Sequence, residues 1–218
     1  MKAVIAGGGR IGSQIAQVLA ATGHDITLIE VNDDRIEDLS GTTVARLVAG
    51  DACEPSVLEQ AGVLSADVLV AATGDDEDNL VVALLAKRQF AVPRVVARVN
   101  DPENIWLFGE PWGVDVPISA ASPLVSLIEE AIGATDTVAL FRLAKAGVNV
   151  IETTIAASSH AAGRSLAEIT LPPGTVVTCV IRAGRPSVPD RAFALQPGDE
   201  VLLVSDRASE QGIHAAFQ

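Results

Sequence analysis

The sequence of 218 residues predicts an α/β fold, in which a doubly wound parallel sheet is followed by a small α+β domain that is mostly β. In the first half, short β-branched runs alternate with amphipathic stretches of helical length, which is typical of parallel strands wrapped by helices on both faces. From Thr137 onward, short apolar runs are separated by Pro- and Gly-rich turns, which indicates a small β domain with one or two short helices.

The elements can be placed in order along the chain. The predicted strands of the first half are KAVIA, DITLIE, VARLVAG, DVLVAAT and PRVVARV, with a short strand near 114–116 that closes the sheet. The predicted helices between them are IGSQIAQVLAAT, DDRIEDLSG, EPSVLEQAG and EDNLVVALLAKRQF. A further helix, SPLVSLIEEAIG, is predicted by apolar residues on one helical face, and Gly133 is its stop. The strands TVALFRLA, NVIETTIA, TVVTCVIR and DEVLLVS follow, so we divide the chain into domains 1–133 and 134–218.

Composition excludes several classes of protein. Apolar residues make up 49% of the chain, enough for a buried core, yet no apolar run approaches the ~18–20 residues of a membrane-spanning helix. The net charge is −13, most of it within 1–133, and such a surface repels nucleic acid and anionic lipid.

The first strand begins beside Met1 and leaves no segment for a signal peptide, so we expect a cytoplasmic protein. Two cysteines without a CxxC motif predict neither a disulfide nor a zinc site.

The segment AGGGRIG contains the spacing G-x-G-x-x-G at Gly7, Gly9 and Gly12, directly after a predicted strand and at the start of a helix. The first glycine allows a tight turn, the second lets the backbone approach a pyrophosphate, and the third lets the helix pack on the sheet. Glu30 ends the second strand about twenty residues on, where a carboxylate binds ribose hydroxyls and repels a 2′-phosphate. The four residues favour NAD(H) or a simple adenine nucleotide over NADP; the alternative is a packing turn without a ligand.

Two arginines are candidates for phosphate binding. Arg10 lies inside the glycine turn, where a guanidinium can bind phosphate oxygens, including a γ-phosphate. Arg98 ends the fifth predicted strand and therefore belongs to the same edge of the sheet. The alternatives are a solvated side chain for Arg10 and an ion pair with a nearby carboxylate for Arg98.

Two further loops reach this edge. Asp51 and Ala52 follow the third strand and are predicted to flank the adenine, whereas Thr73 and Gly74 follow the fourth and pass beneath the phosphates. The acidic run Asp75–Asp78 could suggest a metal site. We interpret it instead as capping and charge complementation at the N-terminus of the next helix.

The segments VIAGGGRIG, LIEVNDDRIEDL, GDACEPSVLEQAGVLSADVLVAATGDDEDNL and VPRVVARVNDPEN together resemble the RCK (KTN) domain. The later segments GRSLAEITLP, VIRAGRPSVP and LQPGDEVLLVS are similar to the TrkA-C domain, so the resemblance covers nearly the whole chain. It implies a TrkA/Ktr-type regulatory subunit of a potassium uptake system. Such a subunit is cytoplasmic, forms dimers and then a ring, and acts beneath a membrane potassium channel.

The resemblance also implies a ligand and the residues that hold it. Family members bind NAD(H), ATP or ADP in the cleft beside the glycine turn, and some relatives bind a second ligand, including cyclic di-AMP, in the C-terminal domain. No motif here can be matched to that second site. The first site carries over to Gly7, Gly9, Arg10, Ile11, Gly12, Glu30, Asp51, Ala52, Thr73, Gly74 and Arg98.

Three functional classes remain open: a ligand-sensing gating subunit, an NAD-dependent oxidoreductase, and a nucleotide-binding scaffold with a soluble partner. An oxidoreductase needs a group that moves the substrate proton. The chain contains no tyrosine, and His24, His160 and His214 lie away from the predicted ligand edge. A gating subunit is therefore favoured, with a pairing surface predicted on SPLVSLIEEAIG and on WLFGEPWG, which carries Trp106, Phe108 and Trp112.

Overall fold

The computed structural model describes residues 1–119, 121–143 and 146–218. The chain forms two compact units, Met1–Ala121 and Ser122–Gln218. Compactness alone does not define where an independently folding domain ends, so the sequence-based limits 1–133 and 134–218 stay a prediction.

The first unit is built on a parallel sheet of six strands, which confirms the predicted fold class. The strands are β1 (Lys2–Ala6), β2 (Asp25–Glu30), β3 (Arg46–Ala49), β4 (Val68–Ala71), β5 (Arg94–Val99) and β6 (Val116–Ser119). Their spatial order is β3-β2-β1-β4-β5-β6. The direction of winding reverses between β1 and β4, and in such sheets a ligand crevice opens outside the carboxyl ends of the strands at that point.

Helices connect these strands. They are α1 (Arg10–Ala21), α2 (Asp33–Ser40), α3 (Pro55–Gln60) and α4 (Asp76–Leu84), with a π-helical turn at Leu85–Gln89 and 3-10 helices at Val63–Ser65, Pro102–Leu107 and Glu110–Trp112. Helix α2 begins after Asn32 because this residue caps it. The Asn32 side chain accepts a hydrogen bond from the Arg35 amide at 3.0 Å.

The sheet has an apolar core on each face, because successive strand residues point to opposite sides. On β1, Ala3 and Ile5 belong to the cluster that contains Ala16 of α1 and Leu39 of α2. The intervening Val4 and Ala6 belong to the cluster formed with α3 and α4. Burial on both faces explains why these strands are mostly apolar and do not alternate between apolar and polar residues.

The second unit contains most of α5 (Ala121–Ile132) and an antiparallel sheet. Its strands are β7 (Thr137–Leu143), β8 (Val148–Thr154), β9 (Thr175–Arg182), β10 (Arg185–Ser187) and β11 (Glu200–Ser205), in the order β10-β9-β11-β8-β7. The helix α6 (Glu210–Phe217) packs Ile213 and Phe217 into the core of this sheet. Ala144, the predicted last residue of TVALFRLA, lies outside the described residues. No helix in the described ranges is both long and apolar enough to cross a membrane.

The two predicted pairing segments differ in exposure. On α5, the apolar side chains that the sequence places on one face are at least half exposed, from 50% at Ile128 to 71% at Ile132. In the aromatic segment, Trp106 is 78% exposed, whereas Phe108 is buried and Trp112 packs against the same core as α4. Phe108 fills the core of its own unit, so its predicted part in pairing is wrong, whereas pairing through Trp106 and the partly buried Trp112 stays a prediction.

Candidate functional site

The glycine turn joins β1 to α1 and depends on close backbone contacts. Gly7 has φ +99°, and its amide donates to the Ile29 carbonyl oxygen at 2.9 Å. A Cβ on Gly7 would lie 2.9 Å from the Ala72 carbonyl oxygen, and one on Gly12 would lie 1.9 Å from that of Gly7. A side chain at Gly9 would meet no atom within 4 Å. The turn thus needs Gly7 and Gly12 for its own closure, whereas Gly9 leaves space that a ligand can use.

Gly8, which the sequence motif treats as a free position, is also constrained. A Cβ there would lie 2.8 Å from Cδ1 of Leu39 and 2.9 Å from Oε2 of Glu30. The Gly8 carbonyl oxygen accepts from Nη2 of Arg35 at 3.0 Å. The run of three glycines in AGGGRIG is the one signal in the sequence that points to this additional requirement.

Glu30 anchors the glycine turn from the end of β2. It is only 8% exposed, and its Oε2 accepts from the Gly8 amide at 2.7 Å. Its Oε1 accepts from the amides of Val31 at 2.8 Å and Asn32 at 2.9 Å. A carboxylate offers about four acceptor positions, so one is left for a ribose hydroxyl. Glu30 therefore holds the turn in place, and its predicted contact with ribose is compatible with that role.

A cavity of about 260 Å³ opens beside this turn, at the carboxyl ends of β1 to β5. Every residue predicted for the site lines it except Gly12, whose place is behind the turn. The predicted residues that meet there are Gly7, Gly9, Arg10, Ile11, Glu30, Asp51, Ala52, Thr73, Gly74 and Arg98. Sequence reasoning missed Ile29, Val31, Gly50, Cys53, Ala72, Asp75 and Asp78, all of which adjoin predicted positions in the chain or continue the same loops. Ligand binding by these residues stays a prediction.

Cys53 is the one thiol at the cavity among the described residues. Burial raises its pKa to about 12, and the negative charges of Asp78 and Asp51 act in the same direction. The thiol is therefore protonated at neutral pH and is a poor nucleophile.

The acidic run at the start of α4 places three carboxylates in the first helical turn, which confirms the predicted charge complementation, but the predicted capping is wrong. Asp75 occupies the N-cap position, but its side chain makes no capping hydrogen bond. Asp76 is buried and accepts instead from the amides of Asn100 at 2.7 Å and Asp101 at 3.1 Å, beyond the end of β5. Burial alone would raise the pKa of Asp76, but these bonds and one from Asn104 lower it below its ordinary value.

No group of three or more His, Cys, Asp or Glu within the described ranges could hold a metal ion.

The fold defines a class of protein: a Rossmann-like unit followed by a small unit built on an antiparallel sheet. The TrkA-N domain model matches residues 3–120, and the TrkA-C domain model matches residues 150–218. The chain belongs to the TrkA family, which confirms the resemblance drawn from the sequence.

Comparison with individual proteins agrees with this assignment. The chain is 44% identical to the Trk system potassium uptake protein TrkA of Mycobacterium tuberculosis over 97% of its length and 96% of that protein. A crystal structure of GsuK bound to ADP is 29% identical, with a TM-score of 0.52, over 60% of this chain and 34% of that one. A GsuK channel bound to NAD shares the fold at 19% identity, with a TM-score of 0.60, over 99% of this chain and 39% of that one. The matched regions cover well under half of these GsuK chains.

Proposed function

We propose that this protein is a nucleotide-sensing regulatory subunit of a Trk-type potassium uptake system. The observation that carries the proposal is the cleft at the carboxyl edge of the parallel sheet, where the glycine turn, Glu30 and two arginines meet. Similarity over nearly the full length to a TrkA protein supports potassium uptake as the setting.

The proposed ligands are NAD(H), ATP and ADP. All three contain an adenosine ribose and a pyrophosphate, which suit the free acceptor position of Glu30 and the open side of Gly9. The GsuK structure bound to ADP supports an adenine nucleotide as the ligand. A second ligand of the cyclic di-AMP kind within 134–218 stays a separate prediction, without residues matched to it.

The cleft is proposed to bind its ligand without catalysing a reaction. An oxidoreductase would need a proton-transfer group beside the nicotinamide. Among the described residues, the cavity lining contains no histidine or lysine, and the chain has no tyrosine. Cys53 is held in its protonated form. Besides the carboxylates of Glu30, Asp51, Asp75 and Asp78, the lining offers backbone amides and guanidinium groups, which recognise phosphate.

The arginines of the cleft can supply the difference in binding free energy that regulation requires. Turning a 1:99 population of two states into 99:1 takes about 5.5 kcal/mol of differential binding. One hydrogen bond to a charged group contributes about 1.5–3 kcal/mol. Bonds from Arg10 or Arg98 to a γ-phosphate, which ATP has and ADP lacks, approach that figure, and several copies in a ring add their contributions.

The proposed partners are a second copy of this chain and a membrane potassium transporter. The half-exposed apolar face of α5, with Leu124, Leu127 and Ile128, supports pairing between copies. The ring then forms from separate copies, and the transporter holds it at the cytoplasmic side of the membrane. The net charge of −13 supports attachment through protein rather than lipid.

Replacing Arg10 with alanine is expected to weaken ATP binding more than ADP binding, because a γ-phosphate contact is lost. We expect the ATP-to-ADP affinity ratio to fall about tenfold, the equivalent of ~1.4 kcal/mol. Isothermal titration calorimetry with NAD, NADH, ATP and ADP measures the ratio. The control is Arg94→Ala, since Arg94 is exposed at the opposite end of β5 from the cleft. An unchanged ratio in Arg10→Ala contradicts the γ-phosphate role.

Co-purification from membranes of the source organism tests the wider proposal. The tagged chain is expected to retain a potassium-translocating membrane protein, and the amount retained should change when ATP replaces ADP in the buffer. The matched control is the same preparation with Arg10→Ala. Recovery of soluble partners alone would favour a nucleotide-binding scaffold instead.

A further inference from the structure

Two polar side chains in the first turn of α4 are buried and lie outside the lining of the cleft. Asn79 is 0% exposed and Asp76 is 6% exposed, and neither lines the cavity. A buried amide is costly unless its donors and its acceptor are all used. The bonds of Asn79 therefore indicate what this side chain does.

Asn79 joins the loops that follow β4 and β5. Its Oδ1 accepts from the Thr73 amide at 2.9 Å and from Oγ1 of Thr73 at 2.8 Å. Its Nδ2 donates to the Arg98 carbonyl oxygen at 3.1 Å. One side chain thus fixes the main chain at both Thr73 and Arg98, and these two residues reach the cavity from neighbouring strands.

The Arg98 side chain depends on this main-chain support. Its Nη1 makes a long hydrogen bond of 3.4 Å to the Thr73 carbonyl oxygen. Its Nε is buried and has no acceptor among the described residues. The Arg98 side chain lines the cavity, where its guanidinium charge is suited to an anionic ligand. The direction of that guanidinium is set by the backbone from which the side chain extends.

Asp76 braces the same turn from the other side. Besides the main-chain amides that follow β5, its Oδ2 accepts from Nδ2 of Asn104 at 2.9 Å. The first turn of α4 is therefore hydrogen-bonded to the segment after β5 as well as to the Thr73 loop.

We propose that Asn79 is a positioning residue for the anion-binding end of the cleft. It acts through Thr73 and Arg98 and does not touch the ligand. This inference rests on the proposed function, since it requires a nucleotide in the cleft. Loss of Asn79 should therefore reduce recognition of the outer phosphates and leave recognition of adenosine in place.

The test compares ligands that differ only in phosphate number. Asn79→Leu keeps a similar volume but removes both polar ends of the amide. By competition calorimetry we expect ATP and ADP to bind about tenfold more weakly, ~1.4 kcal/mol, and adenosine to change less than about twofold. A role limited to stability would lower the unfolding midpoint without changing the ratio of ATP to adenosine affinity.

The control is Asn104→Leu, which removes an amide that bonds to Asp76 rather than to a cleft loop. It is expected to lower the unfolding midpoint and to keep the ATP-to-adenosine ratio. If Asn79→Leu does not fold, Asn79→Ser gives the same measurement, because serine cannot reach both loops.

The outcomes separate this inference from the function on which it rests. If the wild-type chain binds nucleotides and the Asn79 variant keeps the wild-type ATP-to-adenosine ratio, only the positioning role is overturned. If the wild-type chain binds no nucleotide, the proposed function is overturned together with it.

Discussion

Replacing Gly12 with alanine is expected to destabilise the first unit by more than about 4 kcal/mol, because the new side chain would collide with the backbone. The added Cβ would lie 1.9 Å from the Gly7 carbonyl oxygen and 3.1 Å from the Gly7 carbonyl carbon. Both atoms are backbone, so the conflict cannot be relieved by a change of rotamer. Helix α1 must move away from the turn, which also disturbs the packing of Ala16, a fully buried residue.

Urea unfolding followed by tryptophan fluorescence measures this effect on the first unit alone. The chain has two tryptophans, Trp106 and Trp112, and both lie within Met1–Ala121. The matched control is Gly9→Ala, because Gly9 has φ −60° and a Cβ there meets no atom within 4 Å. We expect that control to change stability by less than about 0.5 kcal/mol and to weaken nucleotide binding. Equal stability of the two variants would contradict the geometry of the turn.

Replacing Asp199 with alanine is expected to cost the second unit about 3 kcal/mol, the lower end of the range for breaking a buried ion pair. The Asp199 carboxylate is buried and accepts from Nε and Nη2 of Arg182, both at 2.6 Å. It also accepts from the Gln196 amide at 2.8 Å. We choose the lower end because the Arg182 side chain is 37% exposed, so water can solvate part of it after the substitution.

The same pair predicts acid sensitivity of the second unit. Burial by itself raises the pKa of Asp199, but hydrogen bonds from Arg182 and Gln196 outweigh burial and hold the pKa below its ordinary value. Its contribution to stability is complete above the unfolded-state pKa of about 3.9, and it is lost as the pH falls from there through the lower folded-state pKa. Asp199→Ala lacks this carboxylate, so the variant should lose less stability than the wild type as the pH falls through this range.

Hydrogen exchange of the amides in β8, β9 and β11 measures both effects, since these strands form the centre of the second sheet. The control is Asp206→Asn, which removes a 3.5 Å ion pair to Arg207 whose two side chains are 48% and 84% exposed. An exposed pair of this kind contributes at most about 1 kcal/mol. If Asp199→Ala exchanged no faster than the control, the buried pair would be irrelevant to stability.

The sequence was sufficient to predict the sheet of the first unit and the cleft at its edge. Segments such as VLVA of β4 and AVIA of β1 are apolar throughout, and helix α1 between β1 and β2 shows a clear helical periodicity. The glycine spacing and Glu30 then locate the site, because parallel strands bring their carboxyl ends to one edge. Local signals were enough wherever the local pattern and the tertiary environment agree.

The remaining features depend on contacts that no local pattern encodes. The strand β10 consists of Arg185–Ser187, with all side chains exposed, so it lacks the apolar alternation that predicts a strand. Phe108 was predicted to lie on a pairing surface, although burial of an aromatic residue follows from neighbours distant in sequence. The same holds for the polar side chains of α4, because Asp76 finds its partners more than twenty positions away. An acidic run is more simply read as a helix cap.

The cleft is lined by Asp51, Asp75 and Asp78 as well as by Arg10 and Arg98. An approaching nucleotide therefore meets repulsion from the carboxylates and from the rest of an acidic molecule before it reaches the guanidinium groups. Dissolved salt screens charges more than about 8 Å apart at physiological ionic strength, but it weakens direct contacts in a partly buried site much less. We therefore expect moderate ionic strength to speed nucleotide association, so that the concentration of salt in the cell would itself adjust how quickly the cleft fills.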